Sequence, residues 1–139
     1  MHDPKTLDAD LAVAEEKVQN LRAGAEKEIV WAGKAGEITD VAVVYVHGFS
    51  ATKHEIQPVP NLVANALGAN LYLARLEGHG RDGAAMGEVA WQDWLQDTCQ
   101  ALDIGRAIGR RVVVVSCSTG CTLVTCALAM PGMDKNIAG

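Results

Sequence analysis

The sequence predicts an α/β fold, a mostly parallel sheet with helices on both faces. Three observations carry that reading. Apolar runs at 41–46, 70–76 and the four valines 112–115 have the pattern of strands covered on both sides. Helix-like stretches at 58–67, 88–108 and 121–130 alternate with them, the order that produces parallel strands joined by right-handed crossovers. Each strand runs into a loop of small residues or glycines, at 47–50, 78–83 and 116–120. The 139 residues are enough for one domain with a sizeable core.

The elements follow in order. Residues 4–22 read as an amphipathic helix packed on the domain, with Asp3 suited to the N-cap and Pro4 to the first helical position. Leu7, Leu11, Ala14, Val18 and Leu21 recur at helical spacing, and Gly24 ends the pattern. Residues 28–32 form a candidate first strand and 33–40 a loop or hairpin tip. The strand 41–46 leads into His47-Gly48-Phe49-Ser50. The helix 58–67 is stopped by Gly68, and the strand 70–76 enters a glycine-rich loop. The long helix 88–108 has Trp91, Trp94, Leu95, Leu102 and Ile108 as inward candidates, with Gly109 closing it. The chain shows no internal repeat, low-complexity tract or linker.

Composition narrows the partners. Net charge is −5 and no basic cluster is present, which argues against nucleic acid and anionic membrane surfaces. No apolar run approaches the roughly 20 residues of a membrane span. The first residues are polar and lack a signal-peptide apolar region, so the expected location is the cytoplasm. Cys99, Cys117, Cys121 and Cys126 include no CxxC pair. They are expected to be reduced, buried thiols acting as small hydrophobes rather than a metal or redox site, and no metal or cofactor is expected.

The chemistry-bearing run is Val115-Ser116-Cys117-Ser118-Thr119-Gly120. A serine at a sharp strand-to-helix turn has the geometry of a nucleophile elbow, whose usual form is Gly-x-Ser-x-Gly. Small residues are needed two before and two after the nucleophile, where strand and helix backbones approach closely. Ser116 and Gly120 fill those positions for Ser118. Shifting the register to Cys117 would put β-branched Val115 and Thr119 there, so Ser118 is the better candidate. Acyl transfer also needs two backbone N–H groups aimed at the developing oxyanion. Thr119, after the nucleophile, and Phe49, in the loop after the first long strand, are the candidates. His47, Gly48, Ser50, His79 and Cys117 are expected to line the same cleft, with His47 bonding the loop backbone.

Gly78, Gly80 and Gly83 match a dinucleotide-binding spacing, but that pattern must open a helix to hold a pyrophosphate, and bulky residues intervene here. The better reading is a tight loop along the same sheet edge, in which His79 and Arg81 are structural or shape the cleft. A role for His79 as base toward Ser118 is the weaker alternative. His54 and Glu55 read as a solvated face.

With these residues in place, the chain resembles the N-terminal half of an α/β-hydrolase, in the bacterial esterase and monoglyceride-lipase-like branch. The resemblance covers roughly residues 28–130. It rests on Val43-Val44-Tyr45-Val46-His47-Gly48-Phe49-Ser50, Leu76-Glu77-Gly78-His79-Gly80-Arg81-Asp82-Gly83 and the run 112–120. It implies a small-molecule carboxylic ester substrate, Ser118 as nucleophile forming an acyl-enzyme, and Phe49 and Thr119 as the oxyanion hole. The family order is serine, then acid, then histidine. Asp134 is the only acid after Ser118, and no histidine follows it.

The domain 1–139 is therefore expected to be a truncated hydrolase. In the strand order the resemblance implies, the valine strand is central, and here it would be a bare apolar edge, an association hazard. The chain is expected to self-associate or to lack a C-terminal half. The alternative function is a non-catalytic truncated hydrolase that oligomerises through this edge.

Overall fold

The computed structural model describes residues 2–139. In chain order the elements are α1 (Leu7–Glu16), β1 (Glu28–Val30), β2 (Thr39–Val46), α2 (Val59–Leu67), β3 (Asn70–Leu73), α3 (Trp91–Ile108), β4 (Gly109–Ser116) and α4 (Thr119–Leu128). The strands form one sheet in the order β1-β3-β2-β4. β2 pairs in parallel with β3 and β4, and β1 runs antiparallel to β3. This is the mostly parallel α/β architecture that the alternation of runs predicts.

β2 is covered on both faces because its side chains alternate between two cores, as the period of two in a strand requires. Ala42, Val44 and Val46 pack with Ile104 and Ile108 of α3 and Leu123 and Val124 of α4. Val43 and Tyr45 pack with Leu71, Leu73 and Ala64 on the α2 side. α3 lies so close to β2 that a Cβ on Gly105 would sit 2.5 Å from Val44 Cγ2, which accounts for a glycine in a helix interior despite its cost there. α2 ends at Gly68, whose φ of 59° gives the left-handed cap that glycine favours.

α1 is shorter than the expected 4–22. It ends at Glu16, and the chain then runs irregularly so that the Arg22 amide can donate to Gly80 O at 2.8 Å. Inside a continued helix that amide would be consumed by the helix's own carbonyl ladder. The inward position of the last turn belongs to Glu15, not Ala14. Glu15 makes a two-point ion pair with Arg75 (Nε–Oε2 2.7 Å, Nη2–Oε1 2.8 Å) and accepts the Lys27 amide at 3.0 Å. The Arg75 guanidinium donates further to the carbonyls of Leu76 and His79. α1 is thereby tied to the loop that follows β3. The pair holds the Glu15 carboxyl below its usual range, against the opposing effect of burial.

β3 stops at Leu73, before the expected 76, and β1 at Val30, before 32. α3 begins at Trp91, which is 58% exposed and outside the core. Trp91, Gln92 and Asp93 are all exposed, while Leu102 and Ile108 are buried as expected. The cysteines are free, but Cys121 and Cys126 are exposed and Cys99 and Cys117 only half-buried. α4 turns Leu123, Val124 and Ala127 inward, which leaves 121 and 126 facing out. Among the described residues no three metal-ligating side chains gather, and no helix is long and apolar enough to cross a membrane.

The valine strand is an edge, but not a bare one. Of its four valines only Val112 is fully buried. Residues 136–139 lie alongside it. The Val112 amide donates to Asn136 O, the Ala138 amide to Val112 O and the Val114 amide to Gly139 O, at 2.7–2.8 Å. A parallel bridge joins Val112 and Ile137.

At the end of β2, His47 is 0% exposed. Its Nδ1 lies 2.8 Å from Gly48 O and its Nε2 accepts the Leu76 amide at 3.1 Å. These partners assign the proton to Nδ1. Burial pushes the imidazole down to about 4, so it is neutral near pH 7. His47 therefore lies beneath the cleft it was expected to line, joining β2 to the segment after β3.

Two stability predictions follow from these buried groups. Glu15→Ala leaves the Arg75 guanidinium buried without its carboxylate and should destabilise the fold by about 3 kcal/mol, read from urea unfolding. Below pH 6.5 the unfolded chain protonates His47 while the folded one resists until about pH 4. Stability should fall as pH drops through that window, by roughly 3 kcal/mol across it. Urea midpoints at pH 7 and pH 4.5 measure this, and His47→Gln should flatten that part of the dependence.

Candidate active site

Ser118 stands between β4 and α4 with φ 49° and ψ −118°. A non-glycine residue held there stores about 1–3 kcal/mol of strain. Its neighbours impose the conformation. The Cys117 amide donates to Val46 O at 3.2 Å, the Gly120 amide to Cys117 O at 2.8 Å and the Cys121 amide to Ser118 O at 2.9 Å. A Cβ on Gly120 would sit 2.4 Å from Val46 O and 2.6 Å from His47 O. The elbow is thus pressed onto the end of β2, and residue 120 has no room for a side chain. Ser116, in the other small position, places its Oγ 3.3 Å from Cys121 Sγ.

The turn leaves Ser118 exposed and Cys117 half-buried. Desolvation, with the Glu55 carboxylate adding to it, raises the Cys117 thiol above its usual value. That disfavours the thiolate a cysteine nucleophile needs.

The loop after β2 comes alongside because β2 and β4 are paired in register to their ends, Val46 opposite Ser116. A Cβ on Gly48 would lie 3.2 Å from Ser118 Cβ and 3.3 Å from Cys117 O. In this loop the Gly48 amide donates to Glu55 Oε2 at 2.8 Å, and the Ser50 amide to His79 Nε2 at 3.1 Å. Among the described residues the amides of Phe49 and Thr119 donate to no group of the chain. Thr119 is also the first residue of α4, where the helix dipole favours negative charge. Both unpaired N–H groups belong to segments that meet at the elbow, Thr119 directly after Ser118 and Phe49 directly after Gly48.

His79 does not reach for Ser118. Its Nε2 is taken by Ser50, its Nδ1 lies 3.1 Å from Glu77 O, and its ring is buried. Burial keeps it below the usual histidine value, so it is neutral. It sits under the loop, its ring centre 4.8 Å from His47 and 5.3 Å from Trp94. Phe49 turns its side chain outward, 58% exposed, with its ring edge-on to Trp94 at 5.9 Å. The glycine-rich loop opens only a three-residue 3-10 turn at Ala85–Gly87, and α3 begins at Trp91, so no helix N-terminus faces the glycines as dinucleotide binding requires. Arg81 instead donates to Gln19 O at 2.7 Å.

Glu55 is the residue that the sequence reading missed. It is exposed as expected, yet its carboxylate accepts from both Gly48 N and Tyr45 Oη, the latter at 3.1 Å. Burial and the Glu55 bond raise the Tyr45 phenol well above its usual range. Hydropathy carries no sign of this role; a carboxylate seven residues past Gly48 is the one available signal. The remaining histidines lie elsewhere, His54 with its Nε2 2.8 Å from Gly24 O and His2 beside Asp103 and Arg106.

Residues 43–138 match the alpha/beta hydrolase family. The chain is 31% identical over 83 residues to a thermostable monoacylglycerol lipase of Bacillus sp. (strain H-257), a match covering 60% of this chain and 33% of the lipase. The chain thus spans about a third of that relative's length. A solved structure described under two metagenome-derived lipolytic enzymes, LipS and LipT, superposes with a TM-score of 0.66 at 23% identity, over 78% of this chain and 41% of the other. The family match runs from within β2, through the elbow, to the segment paired on β4, and the chain belongs to the alpha/beta hydrolase family.

Proposed function

We propose that this chain carries the nucleophile half of a serine hydrolase acting on carboxylic esters. The observation that supports it most is the exposed Ser118 at a strained elbow, against a loop whose Phe49 amide is unpaired. In this reading Ser118 Oγ attacks the ester carbonyl carbon and gives up its proton to a base. The carbonyl oxygen becomes an oxyanion, held by the Phe49 and Thr119 amides. Collapse expels the alkoxide, which takes up the proton and leaves as the alcohol. Water then cleaves the acyl-serine ester and restores the hydroxyl. In this reading neither His47 nor His79 serves as the base, because each has both ring nitrogens bonded to backbone. A monoacylglycerol lipase among the relatives favours an acylglycerol or similar ester as substrate.

At pH 9 hydroxide can itself take the Ser118 proton. A fluorophosphonate probe should then give one covalent adduct, mapped to Ser118 by mass spectrometry and lost in Ser118→Ala. A folded chain that takes up no probe at Ser118 overturns the reading.

A second reading, a non-catalytic hydrolase half that self-associates, is favoured by the sheet edge. β4 is the outer strand of the sheet, with Val113 and Val115 half-buried. Light scattering coupled to size exclusion should then show a dimer or larger species. A monomer at every concentration removes that reading.

A further inference from the structure

The geometry points to Glu55 and His79 as positioning residues that fix which amide of the 48–50 loop faces the reaction, a role that rests on the hydrolase reading above. A short loop with three successive amides has no intrinsic reason to present one of them. Here the choice is made by two side chains from outside the loop. Glu55 takes the Gly48 N–H, His79 takes the Ser50 N–H, and Gly48 O takes the Ala51 N–H at 3.3 Å. Phe49 N–H, between them, is left over.

Both anchors are themselves held. The Glu55 carboxylate also accepts from the Tyr45 phenol, whose ring is buried in β2. The contact of His79 Nδ1 with Glu77 O sets the tautomer, so that the Nε2 lone pair faces the Ser50 amide. His79 O receives Arg75, which is clamped by Glu15. A line of hydrogen bonds therefore runs from α1 to the oxyanion loop. Neither anchor is bonded to Ser118; each acts through the backbone it holds.

Amide hydrogen exchange by NMR on the 139-residue chain, joined to the rate of fluorophosphonate labelling, tests this. In the parent chain, Gly48 and Ser50 should exchange slowly and Phe49 at least about tenfold faster. His79→Ala should release Ser50, and Glu55→Ala should release Gly48. The Leu76 amide, held by His47, should stay protected and so report an intact fold. His79→Gln and Glu55→Gln, which retain an acceptor oxygen at similar reach, should restore protection. Labelling of Ser118 should fall about tenfold in the alanine variants and recover in the glutamine variants. If His79→Ala loses Leu76 protection, His79→Phe replaces it, keeping a ring but no acceptor.

Unchanged exchange at 48 and 50 in the alanine variants overturns the proposal. So does lost protection with unchanged labelling. A parent chain that is never labelled defeats the hydrolase reading instead, and exchange alone then decides whether the two side chains hold the loop.

Discussion

The in-register parallel pairing of β2 with β4 is the constraint on which the rest of this structure depends. Seven residue pairs, from Thr39 opposite Gly109 to Val46 opposite Ser116, end both strands at the same level. The loops that leave them at 47–50 and 117–119 therefore emerge side by side. A slip of one residue would exchange the two core faces of β2 and carry Ser118 away from Gly48. The close approach of Gly120 to the Val46 and His47 carbonyls locks the same register from the helix side. Strain at Ser118 is tolerable because the surrounding backbone bonds leave it no alternative.

Around this apolar frame the molecule places a set of buried polar groups, each with its bonds made. His47 links β2 to the turn after β3, and Glu15 with Arg75 links α1 to the same turn. Asn70 at the start of β3 bonds the carbonyls of Glu37 and Ile108 and the Ala32 amide. Such groups add little net stability when satisfied and cost heavily when one partner is lost. Their contribution is to specify one arrangement of loops that apolar packing alone would leave free. His47 and Arg75 lie at the end of the sheet that carries the 47–50 loop and Asn70 at the other end, so both ends are fixed by such groups.

Several features depart from the sequence reading for one shared reason. Periodicity reports where apolar residues fall, not which polar groups answer one another across the fold. Glu15 reads as a solvated helix residue until Arg75, sixty positions later, is folded against it. Glu55 reads as surface until Gly48 turns its amide toward it. α1 ends early because Arg22 is drawn to Gly80, a pull that lies outside the helical pattern itself. Trp91 and the exposed cysteines fail as core residues because burial depends on what packs opposite, and no described residue covers those faces.

The order of strands and helices, the two-sided burial of β2 and the sharp strand-to-helix turn at Ser118 were readable from residue types and spacing. They follow from local rules: the period of a strand, the conformational freedom of glycine, and the small residues a tight turn requires. Folding in three dimensions was needed to show that His47 and His79 are neutral struts beneath the loop, that Glu55 holds its first amide, and that residues 136–139 cover half of the β4 edge. Those facts rest on hydrogen bonds between distant segments. Such bonds have direction and a length limit, so only the assembled chain determines which of the many possible pairs are made.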